Sequence, residues 1–207
     1  MKKNKIDTIF FDIGGVLIDI HPEKTYKYIG KQIGLSAKDI ELSFPVSSHE
    51  KYEKGEISNE EWYKAVTKSL PERSNLKEED FWLAWRLLLG KQTDVVEVLR
   101  SLKEHYSIWL LSNTNPQHIK DEIKIRYDFP DEVDGAIYSF DVGRIKPDPE
   151  IFSIAVNTAK TKFRNCVFID DLKSNVKSAK KSGILSFQYI STTQLIADLI
   201  NHGLKGL

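Results

Sequence analysis

Two apolar segments of the chain each end on carboxylates, and this pattern constrains the fold more than any other. The run Cys166–Ile169 is followed by Asp170 and Asp171, and the run Ile6–Phe11 is followed by Asp12. Continuous apolar runs of this length are typical of strands buried on both faces, as in a parallel sheet. Because ligands of open α/β sheets bind outside the carboxyl ends of the strands, we expect the three carboxylates to meet in one cleft. A hard divalent cation such as Mg²⁺ would balance their mutual repulsion there.

Short β-rich runs alternate with helical patterns along the chain, which favours βαβ units. The predicted strands are Ile6–Phe11, Ile108–Leu111, Ala136–Phe140, Cys166–Ile169 and Ile184–Tyr189. Between the last four strands, the predicted helices lie near Pro116–Arg126, Pro149–Lys160 and Ser174–Ser182. Each of these intervals is long enough for a crossover helix. The expected fold class is therefore α/β, with a Rossmann-like parallel sheet core and an inserted α-helical cap domain.

The cap domain is predicted from the first interval, between Asp12 and Ile108, which is several times longer than the others. Its helical patterns lie near Thr25–Ile33, Ala37–Ser43, Asn59–Ser69, Glu78–Leu89 and Thr93–His105. A structureless loop of this length is uncommon in a compact domain, so an inserted helical domain explains the interval better. We predict a core of residues 1–18 and 91–207 and a cap of residues 19–90.

The composition is that of a compact enzyme with no charged macromolecule as its partner. Lys and Arg number 30, as do Asp and Glu, and 41% of the 207 residues are hydrophobic. Balanced charge gives no reason to expect nucleic acid or an anionic membrane as a partner. The Lys-rich start, residues 1–5, lacks the apolar segment of a signal peptide. Because Cys166 is the single cysteine and lies in a predicted buried strand, we expect a reducing cytoplasmic location.

Residues that suit phosphate chemistry lie at other predicted strand ends. Gly14 and Gly15 follow Asp12 and let the backbone approach a ligand closely. Ser112 precedes a helix start, where a hydroxyl and backbone N–H groups suit a phosphate oxygen. Lys146 lies in a proline-stiffened loop, where its ammonium can neutralise phosphoryl charge. Each motif alone is equally consistent with a structural role, such as a turn, a helix cap or a solvated lysine.

Taken in chain order, Asp12, Ser112, Lys146 and the pair Asp170-Asp171 resemble the four motifs of the haloacid dehalogenase superfamily. The resemblance covers nearly the whole chain, and the helical insertion resembles the superfamily's α-helical cap of the first type. Such a cap closes over the site, excludes water and selects the substrate. The resemblance implies a Mg²⁺-dependent phosphatase that hydrolyses a small phosphomonoester, with sugar phosphates as candidates, through an aspartyl phosphate.

The resemblance also implies a role for each residue that would handle the phosphoryl group. Asp12 would be the nucleophile, and Lys146 would offset the charge around it. Ser112 and Asn113 would hold the phosphate oxygens. Phosphoryl transfer needs little beyond such positioning and charge stabilisation.

For the metal, the resemblance implies that the Asp12 carboxylate, the Gly14 carbonyl and Asp171 bind Mg²⁺, with Asp170 and Asn175 as auxiliary residues. At position 14 the chain departs from the superfamily's phosphatases, which usually carry an aspartate there. That aspartate protonates the leaving oxygen and later activates water, a role typically worth about 10²–10⁴-fold in rate. A good leaving group, or another group from the cap, can compensate for its absence.

Three alternatives stay open on the sequence. A 2-haloacid dehalogenase also uses an aspartate nucleophile but binds no metal, and its fourth motif resembles a Ser-rich segment rather than Asp170-Asp171. A catalytically weak phosphate-binding or regulatory protein would keep affinity for Mg²⁺ and phosphate without turnover. A receiver-type signalling domain is shorter and lacks the inserted helices. The expected partner is a small phosphorylated metabolite, and no sequence feature distinguishes a monomer from a dimer.

Substrate contacts are expected from the cap. Its side chains that can face the site are His21, Glu50, Tyr52, Lys54, Trp62, Trp82, Trp85 and Arg86, with His21 and Arg86 as the first to test. Helical spacing of aromatic residues is more typical of a packed core than of a binding surface. The other histidines are expected on the protein surface; they are His49, His105, His118 and His202.

Overall fold

A five-stranded parallel sheet is the centre of the computed structural model, which describes residues 5–71 and 74–207. The strands are β1 (Thr8–Phe11), β2 (Ile18–Ile20), β3 (Leu89–Gln92), β4 (Ser107–Ser112), β5 (Gly135–Tyr138), β6 (Cys166–Asp170) and β7 (Leu185–Gln188). The parallel sheet has the strand order β5-β4-β1-β6-β7, and β2 pairs with β3 in a separate antiparallel ribbon. The predicted α/β fold with a parallel sheet is confirmed.

Helices cover both faces of the sheet. They are α6 (Val95–Lys103), α9 (Phe129–Glu132), α10 (Ser139–Val142), α11 (Pro149–Thr158), α12 (Lys173–Lys181) and α13 (Thr192–Asn201). Side chains of β1 alternate between the two apolar clusters: Ile9 and Phe11 pack on one face and Phe10 on the other. Burial on both faces explains why β1 reads as an unbroken apolar run.

Between β2 and β3, the described residues form five helices with an apolar core of their own. They are α1 (Pro22–Ile33), α2 (Ala37–Ser43), α3 (Val46–Glu53), α4 (Asn59–Ser69) and α5 (Glu78–Arg86). Their core is aromatic: Trp62 is fully buried, its ring stacks on Tyr52 at 5.5 Å, and it meets Trp85 edge-on at 5.3 Å. Capping boxes at Ser36 and Ser58 satisfy the first backbone N–H groups of α2 and α4.

The structure differs from the predicted elements in several places. The β2–β3 ribbon, α3 and α13 were not predicted, and the predicted helix Glu78–Leu89 ends at Arg86, before β3 begins. The predicted helix Pro116–Arg126 is divided into α7 (Pro116–His118), a π-helical segment (Ile119–Ile123) and α8 (Lys124–Arg126). Within the described residues, every helix is too short or too polar to cross a membrane.

Candidate active site

Three strand ends meet at the centre of the sheet and place the predicted site residues together. Because β1 pairs with β4 on one side and β6 on the other, Asp12 lies between Ser112 and Asp170. The backbone N–H of Asp12 donates to the carbonyl of Ile169 at 2.9 Å, which extends the pairing to the end of β1. All three polar side chains are buried. Convergence at the carboxyl edge is the arrangement that the apolar runs predict.

A buried ammonium joins two of these carboxylates. Lys146 Nζ lies 2.9 Å from Asp12 Oδ2 and 2.7 Å from Asp170 Oδ2, and it donates to the Leu111 carbonyl at 2.8 Å. These three acceptors match the three protons of the ammonium. The side chain of Lys146 is completely buried. The ammonium is therefore held in one position beside Asp12.

The Lys146 loop is held in place by Asn113. The side-chain amide of Asn113 donates to the Lys146 carbonyl at 2.8 Å, and its oxygen accepts from the Lys146 N–H at 2.7 Å. The peptide bond between Lys146 and Pro147 is cis. The side chain of Asn113 thus positions Lys146, while its role and that of Ser112 toward phosphate stay predictions.

Asp170 is saturated with donors from the protein. Asn175 Nδ2 lies 3.0 Å from each of its oxygens, and the Leu172 N–H donates to Oδ1 at 2.8 Å. With Lys146 added, its carboxylate accepts from three separate groups. Asp170 and Asn175 therefore fit a supporting role that fixes Lys146, and a carboxylate so occupied is a poor ligand for a further cation.

Asp171 gives the site a third carboxylate, which faces the cavity and is half-buried. One oxygen from each of Asp12, Asp170 and Asp171 lies within 4.8 Å of the others. Gly15 has a φ of +76°, which L side chains rarely adopt, and a Cβ there would lie 2.5 Å from Asp171 Oδ2 and displace that carboxylate. Three carboxylates and one ammonium leave two formal negative charges when all are ionised. Oxygen donors with that charge balance fit a divalent hard cation.

The same excess of negative charge contributes to the pKa shifts of the buried groups. Burial, together with the charge of Asp170, raises the pKa of Asp12 well above its usual range, against the opposing attraction of Lys146. Burial alone would lower the pKa of Lys146, but the two carboxylates outweigh it and raise that pKa. Burial and the Asp170 charge also raise the pKa of Asp171. A bound cation would favour the ionised forms of Asp12 and Asp171.

A cavity of about 420 Å³ lies over these groups and under the helices of the insertion. Its roof is formed by Tyr26, Phe44, His49, Glu53 and Trp85. Of the cap residues expected to face the site, Trp85 lines this cavity. Two of the others, Tyr52 and Trp62, are buried in the aromatic core instead.

The two cap residues that the sequence analysis selected for testing pair with carboxylates away from the cavity. His21 pairs with Glu23 at 3.1 Å, and Arg86 pairs with Glu122 at 3.1 Å. Neither His21 nor Arg86 is among the residues that line the cavity. Arg86 instead ties α5 to the π-helical segment, which places it in a contact between the insertion and the core.

Two histidines expected on the surface line the cavity, so that expectation was wrong. His118 is 4% exposed; its Nε2 lies 3.1 Å from the Trp85 carbonyl and its Nδ1 lies 3.1 Å from Asn115 Nδ2. Burial lowers the pKa of His118, and likewise that of His49, to about 4, so both rings are neutral at pH 7. The Asn115 side chain accepts from the backbone N–H of His118, so the local sequence signal indicated a helix cap and not a buried ring.

Glu53 is the functional candidate that the sequence did not indicate. It is the last residue of α3, and its side chain is 18% exposed and lines the cavity. Burial raises the pKa of Glu53 to about 7, against the attraction of Lys146 and with a smaller contribution from Glu50. His49 and Glu53 are four residues apart on one helix, so recognition of α3 would have placed them on one face.

Gly14 lies at the cavity edge, beside Ile20 of β2. A Cβ at position 14 would lie 3.2 Å from Ile20 Cγ1 and 3.3 Å from its Cδ1. These distances are tighter than most carbon contacts, so a side chain here would require Ile20 to move slightly. The Ile20 side chain thus occupies the space next to the position where the superfamily's phosphatases usually carry an aspartate.

Comparison with known proteins identifies the family. A family model of haloacid dehalogenase-like hydrolases matches residues 6–183. The chain belongs to this family. This match confirms the family resemblance that the four sequence motifs predicted.

Relatives of this haloacid dehalogenase-like hydrolase include characterised and solved proteins. D-ribitol-5-phosphate phosphatase of Bacteroides thetaiotaomicron is 28% identical over 196 residues, which cover 88% of this chain and 91% of the relative. A solved family enzyme from the same organism, in complex with magnesium and inorganic phosphate, has a TM-score of 0.76 and 25% identity. The match covers 92% of this chain and 98% of the solved chain. A HAD-like family hydrolase from Porphyromonas gingivalis has a TM-score of 0.78 and 25% identity, over 95% and 97% of the two chains.

Proposed function

We propose that the protein is a Mg²⁺-dependent phosphatase that hydrolyses a small sugar or sugar-alcohol phosphate. The observation that carries this proposal is Asp12, held by Lys146 at the floor of the cavity with Asp171 beside it. The D-ribitol-5-phosphate phosphatase relative supports the substrate class. The relative solved with magnesium and inorganic phosphate supports the cofactor and the reaction type.

The catalytic residue in this proposal is Asp12. One of its oxygens attacks the phosphorus, the bond to the leaving oxygen breaks, and an aspartyl phosphate forms; water then attacks the phosphorus and restores the carboxylate. Lys146, at 2.9 Å, offsets negative charge as the phosphoryl group approaches. Ser112 and Asn113, which line the cavity, are proposed to bind phosphate oxygens.

The proposed Mg²⁺ ligands are the carboxylates of Asp12 and Asp171 and the carbonyl of Gly14. When bound, Mg²⁺ supplies positive charge that neutralises the carboxylates and the phosphate oxygens. Asp170 holds Lys146 and Asn175 holds Asp170, and an auxiliary role is proposed for both.

The cavity suits a hydroxyl-rich substrate of modest size. Its volume of about 420 Å³ is within the range of small-molecule sites, and its roof combines aromatic rings with His49 and Glu53. Among the described residues, the buried indole N–H of Trp85 has no protein acceptor.

The proposed domain boundaries separate the residues that cover the cavity from those that form its floor. Residues 19–90 form the cap that covers the substrate, and residues 1–18 and 91–207 form the catalytic core. A cytoplasmic location is also proposed, on the basis of the single cysteine, whose thiol is buried in β6.

The test is phosphate release from an aryl phosphate and a panel of pentitol and hexose phosphates, with Mg²⁺ and with excess EDTA. We expect turnover that needs Mg²⁺, and we expect Asp12→Asn to abolish it because the amide oxygen is a poor nucleophile. Circular dichroism should show that this isosteric variant keeps its fold. Full activity of purified Asp12→Asn would exclude the covalent mechanism, whereas Mg²⁺ binding without any turnover would favour a binding protein.

A further inference from the structure

An alkoxide leaving group needs a proton, and the ionisable groups on the described floor of the cavity all have other roles. The three protons of Lys146 already contact Asp12, Asp170 and the Leu111 carbonyl. Asp12 is the proposed nucleophile, and Asp171 is a proposed metal ligand. Gly14 has no side chain at all. If the proposed phosphatase reaction takes place, an ionisable side chain that could donate the proton is therefore to be sought in the roof.

Most polar groups of the roof are unsuited to that task. Thr25 donates its hydroxyl proton to the Ala84 carbonyl at 2.9 Å. Both ring nitrogens of His118 are occupied, and with a pKa of about 4 the ring of His49 carries no acidic proton at pH 7. Burial raises the pKa of Tyr26 above its usual value, so its phenol is a weak acid. Among the described cavity residues, Glu53 is the titratable group that is left.

Glu53 is held over the floor by the end of α3. Gly55, two residues later, packs against the Phe140 carbonyl of α10, which fixes this end of the helix on the core. The charged or titratable groups that act on Glu53 are His49 at 3.9 Å, Glu50 on the same helix and Lys146 from the floor. Its neutral form is populated near pH 7, where a carboxyl group can both give and take a proton.

We propose that Glu53 is the general acid and base of the reaction and takes the place of the carboxyl group absent at position 14. In the first step Asp12 attacks the phosphorus, the bond from phosphorus to the leaving oxygen breaks, and that oxygen takes the proton of the Glu53 carboxyl group. In the second step the Glu53 carboxylate takes a proton from water, whose oxygen attacks the phosphorus. The bond to Asp12 breaks, inorganic phosphate leaves, and Glu53 is protonated again.

The test compares Glu53→Gln with the wild type in the first turnover, measured by rapid quench on an aryl phosphate and on an alkyl pentitol phosphate. An aryl oxide leaves without a proton, so its release should change less than threefold. Release of the pentitol should slow by about 10²–10⁴-fold, the usual contribution of general acid catalysis. With the aryl phosphate, the variant should also release one equivalent of phenol per site in a burst, because hydrolysis of the aspartyl phosphate lacks its base.

Two controls make the result decisive. Glu79→Gln removes an exposed carboxyl group of the cap helix α5 that does not line the cavity and should leave both rates unchanged. Glu53→Asp keeps a carboxyl group and should recover part of the pentitol rate. Equal slowing of both substrates by Glu53→Gln, or slowing of neither, would overturn the proposal for Glu53. The proposed phosphatase function would fail separately, by absence of turnover in the wild type.

Discussion

At the scale of single residues, the Lys146 ammonium is the positive charge that compensates the buried carboxylates of the site. It is completely buried between Asp12 and Asp170, and burial of all three groups would be costly if any one of them lost its partner. Removing one member of such a buried arrangement leaves an uncompensated charge, which typically lowers stability by about 3–5 kcal/mol. The same ammonium for which a catalytic role is proposed therefore also stabilises the fold.

We predict that Lys146→Met lowers the free energy of unfolding by about 3–5 kcal/mol and abolishes turnover. Adding Asp170→Asn should restore a large part of the stability, because the second buried carboxylate is then gone, but it should not restore turnover. Urea denaturation of the two single variants and the double variant measures this coupling. The matched control is Lys180→Met, at an exposed position of α12. A loss below about 1 kcal/mol for Lys146→Met would contradict the prediction.

The sequence was sufficient to bring Asp12, Ser112 and Asp170 into one place, because strand ends of a parallel sheet share an edge. Lys146 lies in the loop after α10, and its place in the site was implied by the family resemblance. The sequence was not sufficient for His118. A single histidine beside a helix start carries no periodic signal, and its burial results from packing against the Trp85 carbonyl, 33 residues away in the chain. Long-range packing of this kind is not encoded in any local pattern.

At the scale of elements, the junction between α3 and the core decides where the roof of the cavity lies. Gly55 has a φ of +69°, and a Cβ there would overlap the carbonyl oxygen of Phe140. Gly34, which ends α1, has a φ of +75° but no atom within 4 Å of the corresponding position. The two glycines therefore share the same backbone requirement, while only Gly55 has a steric one.

From this difference we predict that Gly55→Ala lowers kcat/KM by about 10²-fold, because it displaces α3 and the side chains that α3 presents to the substrate. Gly34→Ala should leave kcat/KM unchanged. Both variants should lose about 1–2 kcal/mol of stability from the left-handed backbone conformation. Steady-state kinetics and urea denaturation of the pair provide the measurement. Equal kinetic effects of the two substitutions would mean that the contact with Phe140 does not set the position of α3.

The elements that the sequence did not predict have weak or short signals. Strand β2 has only three residues, and β3 contains Gly90 and Lys91, neither of which favours a strand. The two strands are stabilised by pairing with each other. Helix α3 begins without a side-chain cap and is held by the buried ring of Tyr52. Helix α13 is different, since Ser191 caps it and its apolar periodicity was available in the sequence.

At the scale of the whole molecule, two formal negative charges at the sheet edge make stability depend on a cation. The metal-free protein must keep Asp171 close to Asp12 and Asp170 without full compensation, and burial with the Asp170 charge already raises the pKa of Asp171. A ligand that binds the folded state alone stabilises it by mass action. Mg²⁺ should therefore raise the melting temperature of the entire chain and not of the site alone.

We predict that Mg²⁺ at about 100 times its Kd raises the melting temperature of the wild type by roughly 5–10 °C, which corresponds to about 2.7 kcal/mol for a protein of this size. Asp171→Asn should remove most of this shift. Without metal, that variant should melt above the wild type, because one of three repelling carboxylates has become neutral. Glu104→Gln, at an exposed position after α6, is the matched control and should keep the full shift. An equal Mg²⁺ shift in the wild type and in Asp171→Asn would contradict the proposed metal site, even if the enzyme proved to be a phosphatase.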